Sequence, residues 1–415
     1  MFSTRSTRVP ELVPGRLVVL SSPHTMVGVD VQTLERLLSP AGQQLLARVE
    51  QEYDGDNALS VSAGLSNVDR SLVAVCLTQA DLRRRAVAKF GTDAALMYFT
   101  PDGLEQSTRR RVAAHRADRV SRHGGSIVDL GCGIGGDLIA LLRVAPDVLG
   151  VELDPLRAAV AAANLAGLGL GGSVMVGDVR RLDLSTHDVI VADPTRRNAR
   201  GRVFDPAAYS PPWSFVQSLL TRTSVVKVAP GIPRDLVPRG VEAEWVSYDR
   251  GLKEAALWSG GLAGVRRRAT VLPSGATLTD VDDPGVDGVG VVERLAAFVY
   301  EPDGAVIRAG LVTAAARLVS ASLIDPKIAY LTGGQQVRTP LARCFRVLEE
   351  VPIRTRPLRA ALRARGIGSL TVKKRGVEID PAVLRRRLAL SGDRAATIIL
   401  TRLRDRGIAV LVEPV

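Results

Sequence analysis

Four acids around a glycine turn are the residues of this chain whose types and spacing can do chemistry. The turn lies in SIVDLGCGIGGDLIALLRVAPDVLGVELD, from Ser126 to Asp154, which reads as a buried strand, a glycine loop, an apolar helix and a second strand ending on an acid. Gly131, Gly133 and Gly135 lack a Cβ, so backbone amides can approach a ligand closely while the turn visits positive φ. The helix that follows adds free N–H groups and a partial positive charge. Glu152 closes the second strand, where a carboxylate accepts both hydroxyls of a ribose. The pattern fits a nucleoside cofactor. Gly131, Gly133 and Gly136 also keep the G-x-G-x-x-G spacing of dinucleotide enzymes, with an acid about 20 residues on. Asp129 argues the other way: just ahead of the first glycine, its carboxylate repels a pyrophosphate but holds an ammonium, directly or through water. Asp178, in VMVGDVRRLD, follows a third short strand, where it can meet an adenine amine. Asp193 and Pro194 end a fourth strand, DVIVADP.

This series resembles the class I S-adenosylmethionine-dependent methyltransferases, whose cofactor carries an amino acid and no phosphate. The resemblance implies a Rossmann-like α/β domain that binds S-adenosylmethionine through Asp129, Gly131, Cys132, Gly133, Gly135, Glu152, Asp178 and Asp193. The stretch FTPDGLEQSTRRRVAAHRA followed by IVDLGCGIGGD is similar to the cap-guanosine-N2 methyltransferases. That likeness implies that Phe99, Thr100 and Gln106 line the cofactor pocket. Taken singly, Thr100 and Ser107 read equally well as turn and N-cap residues.

Two segments compete for the acceptor. SPPW, Ser210 to Trp213, resembles the S/N/D-P-P-aromatic motif of amino methyltransferases, but DPTR follows a strand directly. Acceptors bind at the carboxyl ends of the strands, so Asp193 and Pro194 take the catalytic assignment and Trp213 reads as a packing residue at a helix start. The Asp193 carboxylate and the Pro194 carbonyl would accept N–H bonds from a base amine and steer its lone pair at the methyl group. Thr195 stands where amino methyltransferases commonly carry a second proline. Arg196 and Arg197 read either as a phosphate clamp or as ion pairs at a domain edge. C5-pyrimidine methylation needs a nucleophilic cysteine; Cys132 sits in the cofactor loop, and Cys76 and Cys344 belong to other segments, which argues against that chemistry.

The elements that must hold these residues come from the chain on either side. Residues 1–25 carry a short apolar run broken by Pro14 and Arg16, too short for a signal-peptide core, and are expected to be a disordered extension. Apolar residues then recur at three- and four-residue spacing in VQTLERLLSPAGQQLLARV and VDRSLVAVCLTQADLRRRAVAKF, predicting an N-terminal helical domain over residues 26–123. Arg83, Arg84, Arg85 and Lys89 read as its solvated face. SVVKVAPGI reads as the fifth strand, with Lys227 at the cleft edge. VEAEWVSYDRGLKEAALWSG and RRRATVLPSG are expected as the last two strands, paired antiparallel, so that the cofactor domain spans residues 124–272. The Gly/Asp/Pro-rich PSGATLTDVDDPGVDGVG predicts a linker over 273–290. Residues 291–415 form an α+β module that closes strand, helix, strand, strand.

Between Arg338 and Arg375 eleven basic residues are opposed only by Glu349 and Glu350. The order of the helical segment, DLGCGIGGD, DPTRR, KVAPG, EAALW, EPDGAVIRAG and VKKRGVEIDP resembles a bacterial family of methyltransferases with a C-terminal THUMP-like domain, over nearly all of the chain after about Met26. THUMP domains in other enzymes grip structured RNA, often tRNA. The resemblance therefore implies an RNA substrate, with Lys373, Lys374 and Arg375 among the residues that meet it. Composition agrees: 415 residues with 46% hydrophobic, 24% charged and 4% aromatic make a globular chain with an aliphatic core. A net charge of +12 and a pI near 10.2 favour a polyanionic partner, nucleic acid before membrane. Three dispersed cysteines and four histidines offer neither a metal cluster nor a disulfide framework, which suits a reducing cytoplasm. The function expected is methylation of an exocyclic or ring nitrogen in structured RNA such as tRNA or rRNA. A protein or small-molecule methyltransferase and a catalytically silent RNA-binding protein are the alternatives.

Overall fold

Ile127–Leu130 is buried at every residue, as a strand flanked by neighbours and covered on both faces must be. The structure, a computed structural model, describes residues 17–18, 30–194, 197–198, 201–202 and 211–415. It divides into two compact units, the first running to Val228 and taking in Leu257–Leu262. In that unit β1 is Leu17–Val18, β2 Ile127–Leu130, β3 Val148–Glu152, β4 Ser173–Val176 and β5 Val189–Ala192. A small antiparallel pair, β6 (Arg197–Asn198) and β7 (Gly201–Arg202), precedes β8 (Ser224–Val228). The strands lie in the order β1-β4-β3-β2-β5-β8, with every neighbour parallel. Chain order reverses between β2 and β5, so the loops leaving their carboxyl ends diverge and open a crevice. Of the extension expected over residues 1–25, Leu17–Val18 lies beside Val174–Met175, and the rest falls outside the described residues.

Among the described residues the helices before β2 are α1 (Val31–Leu38), α2 (Pro40–Glu52), α3 (Ala58–Gly64), α4 (Arg70–Phe90), α5 (Pro101–Gln106) and α6 (Arg110–Ser121). They belong to the same compact unit as the sheet. Ser39 ends α1 and caps α2, its hydroxyl accepting the Gly42 N–H with Pro40 at the first helical position. The solvated face expected on α4 is corrected at two positions. Arg83 is buried, donates to the Met97 carbonyl at 2.8 Å, pairs with Glu50 at 3.0 Å and stacks on Tyr98. Lys89 donates to the carbonyls of Leu104, Glu105 and Ser107 at 2.5, 2.7 and 3.0 Å, and burial pulls its ammonium down to about 8. Arg83 binds backbone ahead of α5 and Lys89 binds carbonyls at the end of α5, neither of which helical periodicity would reveal.

After β2 come α7 (Gly136–Leu142), α8 (Pro155–Gly167) and, before β8, α9 (Trp213–Leu219). Asp154 caps α8 by accepting the N–H groups of Leu156 and Arg157. Near the end of α8, Asn164 is fully buried; it accepts the Tyr98 N–H at 2.6 Å and donates to the carbonyls of Tyr98 and Ile134 at 3.1 and 2.8 Å. One side chain thus ties the chain before α5 to the glycine loop.

The second unit comprises Ala229–Ala256 and Ala263–Val415. Here the expected pair of closing strands is corrected. VEAEWVSYDRGLKEAALWSG holds two strands, β9 (Glu242–Tyr248) and β10 (Gly251–Ser259, its last residues passing to the first unit), because Asp249 and Arg250 both take positive φ in the geometry of a tight hairpin. Without a glycine or asparagine at those positions the turn gives no sequence signal. β11 (Arg267–Leu272) runs parallel to β9, not antiparallel. The linker expected over 273–290 begins as a strand: β12 (Ala276–Thr279) pairs back on β11, and Thr279 with Asp282 forms a capping box.

A seven-stranded sheet follows: β13 (Phe298–Pro302), β14 (Ser322–Asp325), β15 (Ile328–Gly333), β16 (Ala342–Val351), β17 (Ile367–Lys374), β18 (Arg394–Leu403) and β19 (Arg406–Pro414). The order is β14-β15-β13-β16-β19-β18-β17, antiparallel except where β17 and β18 run parallel across an intervening helix. Its helices are α10 (Gly304–Ala309), α11 (Val312–Leu318), α12 (Thr355–Ala364) and α13 (Pro381–Leu388). Along β18 the two faces alternate: Ile398 and Leu400 pack with Leu358, Leu362, Leu384 and Leu388, while Ile399 packs with Tyr330 and Phe345.

Replacing Asn164 with alanine strands one buried N–H and two buried carbonyls. We expect Asn164→Ala to lower unfolding stability by about 2–4 kcal/mol, from unsatisfied buried groups, as measured by urea denaturation.

Candidate active site

The carboxyl ends of β2 to β5 open on a cavity of about 300 Å³. Gly131 turns the chain out of β2 at φ 79°, a conformation that strains any other residue, and a Cβ there would stand a tight 3.3 Å from the Asp193 carbonyl oxygen. Gly133 borders the cavity. Gly135 does not: it starts α7 in the left-handed region with its Cβ position 3.6 Å from Ala161 of α8, a packing contact. Glu152 is buried, accepting the Gly133 N–H at 2.9 Å on one oxygen and the Asp154 N–H at 3.0 Å on the other. It fixes the glycine loop, and each oxygen keeps a lone pair for a ligand hydroxyl. Asp178 caps the turn that follows β4 and pairs with Arg180 at 2.6 Å; these hydrogen bonds hold its carboxyl down at about 2. Both residues line the cavity, as do Gln106, Cys132, Asp193 and Pro194.

Behind the cavity lies a buried charge cluster. Asp137, in the first turn of α7, pairs with Arg116 of α6 and with Lys227 of β8, the latter at 3.1 Å. Thr108 donates to Asp137 at 2.7 Å and accepts from Lys227 at 2.7 Å. Lys227 also pairs with the Asp193 carboxylate. Burial would push the Asp137 carboxyl up, but Arg116 and Lys227 outweigh it and hold it at about 2. Asp129 is different. Only 1% exposed, it lines the cavity, and its Oδ2 is buried with no hydrogen-bond partner. Burial, and then Asp137, push its carboxyl well above the usual range. A buried carboxylate left so either takes up a proton or is matched by a cation from outside.

Thus of the expected cofactor residues the cavity gathers Gln106, Asp129, Gly131, Cys132, Gly133, Glu152, Asp178 and Asp193. Thr100 is corrected: its hydroxyl caps α5 by accepting the Gly103 N–H at 3.0 Å. Phe99 is corrected too, being buried against Phe90 with its backbone held by Gln79. Thr195, Arg196 and Ser210 lie outside the described residues, and Arg197 is described only as part of β6. Trp213 is the first residue of α9, whose Phe215, Val216 and Leu219 supply apolar wall. Lys373 and Arg375, expected to face a ligand, meet Glu301 instead: Lys373 at 2.6 Å and Arg375 at 3.7 Å, with Lys373 also over the Phe345 ring. Lys374 is exposed. Sequence reasoning missed Arg116, Thr108 and Asp137, and the bonds that Lys89 makes to the loop covering the cavity. The one available signal was charge inside helices otherwise apolar, as with Asp137 two residues after Gly135.

Burial raises all three thiols, Cys76 to about 11 and Cys132 well above the ordinary range, so none is poised as a nucleophile. Among the described residues no three His, Cys, Asp or Glu side chains gather as a metal site requires, and no helix is long and apolar enough to cross a membrane.

A parallel sheet reversing at this crevice, with a glycine loop and the buried carboxylates of Asp129 and Glu152 on its wall, has the architecture of a class I methyltransferase fold. The chain is 41% identical over 334 residues to a protein named an uncharacterized S-adenosylmethionine-dependent methyltransferase in Mycobacterium tuberculosis strain CDC 1551, and equally to its counterpart in strain H37Rv. Each alignment covers 78% of this chain and 90% of the relative. A family model described as THUMP domain-like matches residues 342–414, and another, described as a domain of unknown function, matches residues 30–86. A crystal structure of a putative methyltransferase from Porphyromonas gingivalis W83 has the same fold, with a TM-score of 0.73 at 22% identity over 89% of this chain and 98% of the other. The chain belongs to the S-adenosylmethionine-dependent methyltransferases, with a class I core and a C-terminal THUMP-like domain, and S-adenosylmethionine is its cofactor.

Two outcomes follow from the charges. Because the folded-state pKa of Asp129 is raised, its ionised form at neutral pH opposes folding until a cation arrives. Asp129→Asn should raise the melting temperature of the ligand-free protein and weaken S-adenosylmethionine by about 1.5–3 kcal/mol; calorimetry and thermal melting report both. Asp137 has the opposite sign. Its lowered pKa contributes stability that is present above the unfolded value of about 4 and lost as pH falls through about 2. Asp137→Asn should therefore destabilise by about 3–5 kcal/mol at neutral pH, as breaking a buried ion pair does, and the gap from wild type should close in denaturation series run toward about pH 2.

Proposed function

We propose that this enzyme methylates a base nitrogen, exocyclic or ring, in structured RNA such as tRNA or rRNA, in the cytoplasm. The observation that carries the reaction is Asp193: at the end of β5, on the cavity wall, with one oxygen held by Lys227. The other oxygen and the Pro194 carbonyl accept N–H bonds from a base amine and aim its lone pair. The bound cofactor supplies an electrophilic sulfonium methyl. What the chain contributes is alignment for an in-line displacement and exclusion of water. Asp129 takes the ammonium of the cofactor, Glu152 its ribose hydroxyls and Asp178 its adenine amine. Arg196 and Arg197 follow the acceptor residues in the sequence and meet backbone phosphate. RNA as the substrate is supported by the THUMP domain-like match over residues 342–414 and by the net charge of +12. One observation favours a small-molecule or protein acceptor instead: Glu301 already engages Lys373 and Arg375.

Methyl-labelled S-adenosylmethionine incubated with the enzyme and a fractionated host extract decides between them. Label is expected in tRNA or rRNA; label confined to protein or small molecules overturns the RNA reading. Asp193→Ala should cut transfer by roughly a hundredfold or more, as loss of acceptor alignment does, and leave cofactor affinity unchanged by calorimetry.

A further inference from the structure

The second unit contains a cavity of about 460 Å³ whose charged wall residues are three arginines, Arg234, Arg308 and Arg375, with no carboxylate among the lining. Ile232, Leu252 and Ile307 supply apolar wall. Among the described residues Arg234 and Arg308 are exposed and have no acidic partner, whereas Arg267 and Arg268 on β11 are neutralised by Asp283 and Glu242. Arg375 is held only in part. The single carboxylate beside it, Glu301, goes to Lys373 at 2.6 Å, and Arg375 reaches the other oxygen at 3.7 Å, too far for a hydrogen bond. The Arg375 Nε is buried with no partner. A donor that has lost water and found no acceptor costs free energy until an acceptor arrives.

We infer that this three-arginine cavity is a phosphate subsite that grips the backbone of the RNA substrate. Three guanidinium forks on partly apolar walls suit a phosphodiester, which they can bind through paired N–H donors. Cations are repelled, and a carboxylate would leave donors unused. A phosphate reaches the cavity either as a free anion or as part of a polymer, and the inference commits to the polymer because it rests on the RNA reading above. The subsite also gives Arg375 a role toward RNA that its pairing with Glu301 would otherwise deny it.

The test uses the full chain as wild type, Arg234→Glu/Arg308→Glu, and the neutral pair Arg234→Gln/Arg308→Gln in case charge reversal disturbs folding. Filter binding of bulk tRNA is measured across a salt series, inorganic pyrophosphate binding by calorimetry, and S-adenosylmethionine binding as a control. Wild type should bind tRNA with a steep salt slope. Both variants should lose roughly tenfold or more in affinity at low salt and about one unit of slope, for the one phosphate gripped, with cofactor binding intact. If wild type binds tRNA and both variants bind it with equal affinity and slope, the subsite is overturned while the RNA reading stands; a change confined to pyrophosphate overturns it equally. If wild type shows no salt-dependent tRNA binding, the RNA reading falls and this inference with it.

Discussion

Arg116 and Lys227 sit buried beside Asp137, Asp193 and Asp129, and the balance among these charges governs the end of the sheet where the cavity opens. Asp137 pairs with both cations and Asp193 with Lys227; Asp129 feels both too, but burial and Asp137 drive it toward its neutral form. Ion pairs this deep add little to net stability when complete, yet losing one partner is severe. The cluster therefore acts as a positioning device. It joins the middle of α6, the start of α7, the loop after α5 and the ends of β5 and β8, with Asp129 beside it on the cavity wall.

How far the sequence revealed this depended on whether a residue's task is local. The glycine loop, Glu152, Asp178 and Asp193 were legible because each occupies a fixed place relative to a strand end, and strand ends announce themselves by apolar runs. Thr100 was misread because a cap and a pocket residue need the same side chain at the same place before a short helix. The cluster partners were not legible, since Arg116 and Lys227 lie far apart in the chain and meet Asp137 only once α6, α7 and β8 pack. The β9–β10 hairpin escaped for a different reason. Its turn residues, Asp249 and Arg250, adopt positive φ without the glycine or asparagine that usually marks it.

Charge density misled most in the second unit. The basic run between Arg338 and Arg375 looks like a uniform binding face, but its members have unlike surroundings. Arg359 and Arg363 reach across from α12 to carbonyls at the end of α13, Arg363 at 2.7 Å to Ala389, where cations complement the helix dipole. Arg365 forks onto Glu349 with two bonds of 2.6 Å. Counting basic residues along a chain says how much charge is available, while the ledger of partners says how much is left for a ligand. Arg234 and Arg308, in segments with no conspicuous basic run, stand out only in the second sense.

The cofactor of this enzyme is itself an alkylating agent, and Cys132 forms part of the wall around it. A thiolate there would be a ready acceptor for the methyl group and would inactivate the protein by its own chemistry. Burial first, and then the neighbouring Asp129 and Glu152, push that thiol well above the ordinary range. Only the thiolate is an effective nucleophile. The acids on the cavity wall thus also help to keep the Cys132 sulfur a poor acceptor for the methyl group that an alkylating cofactor carries.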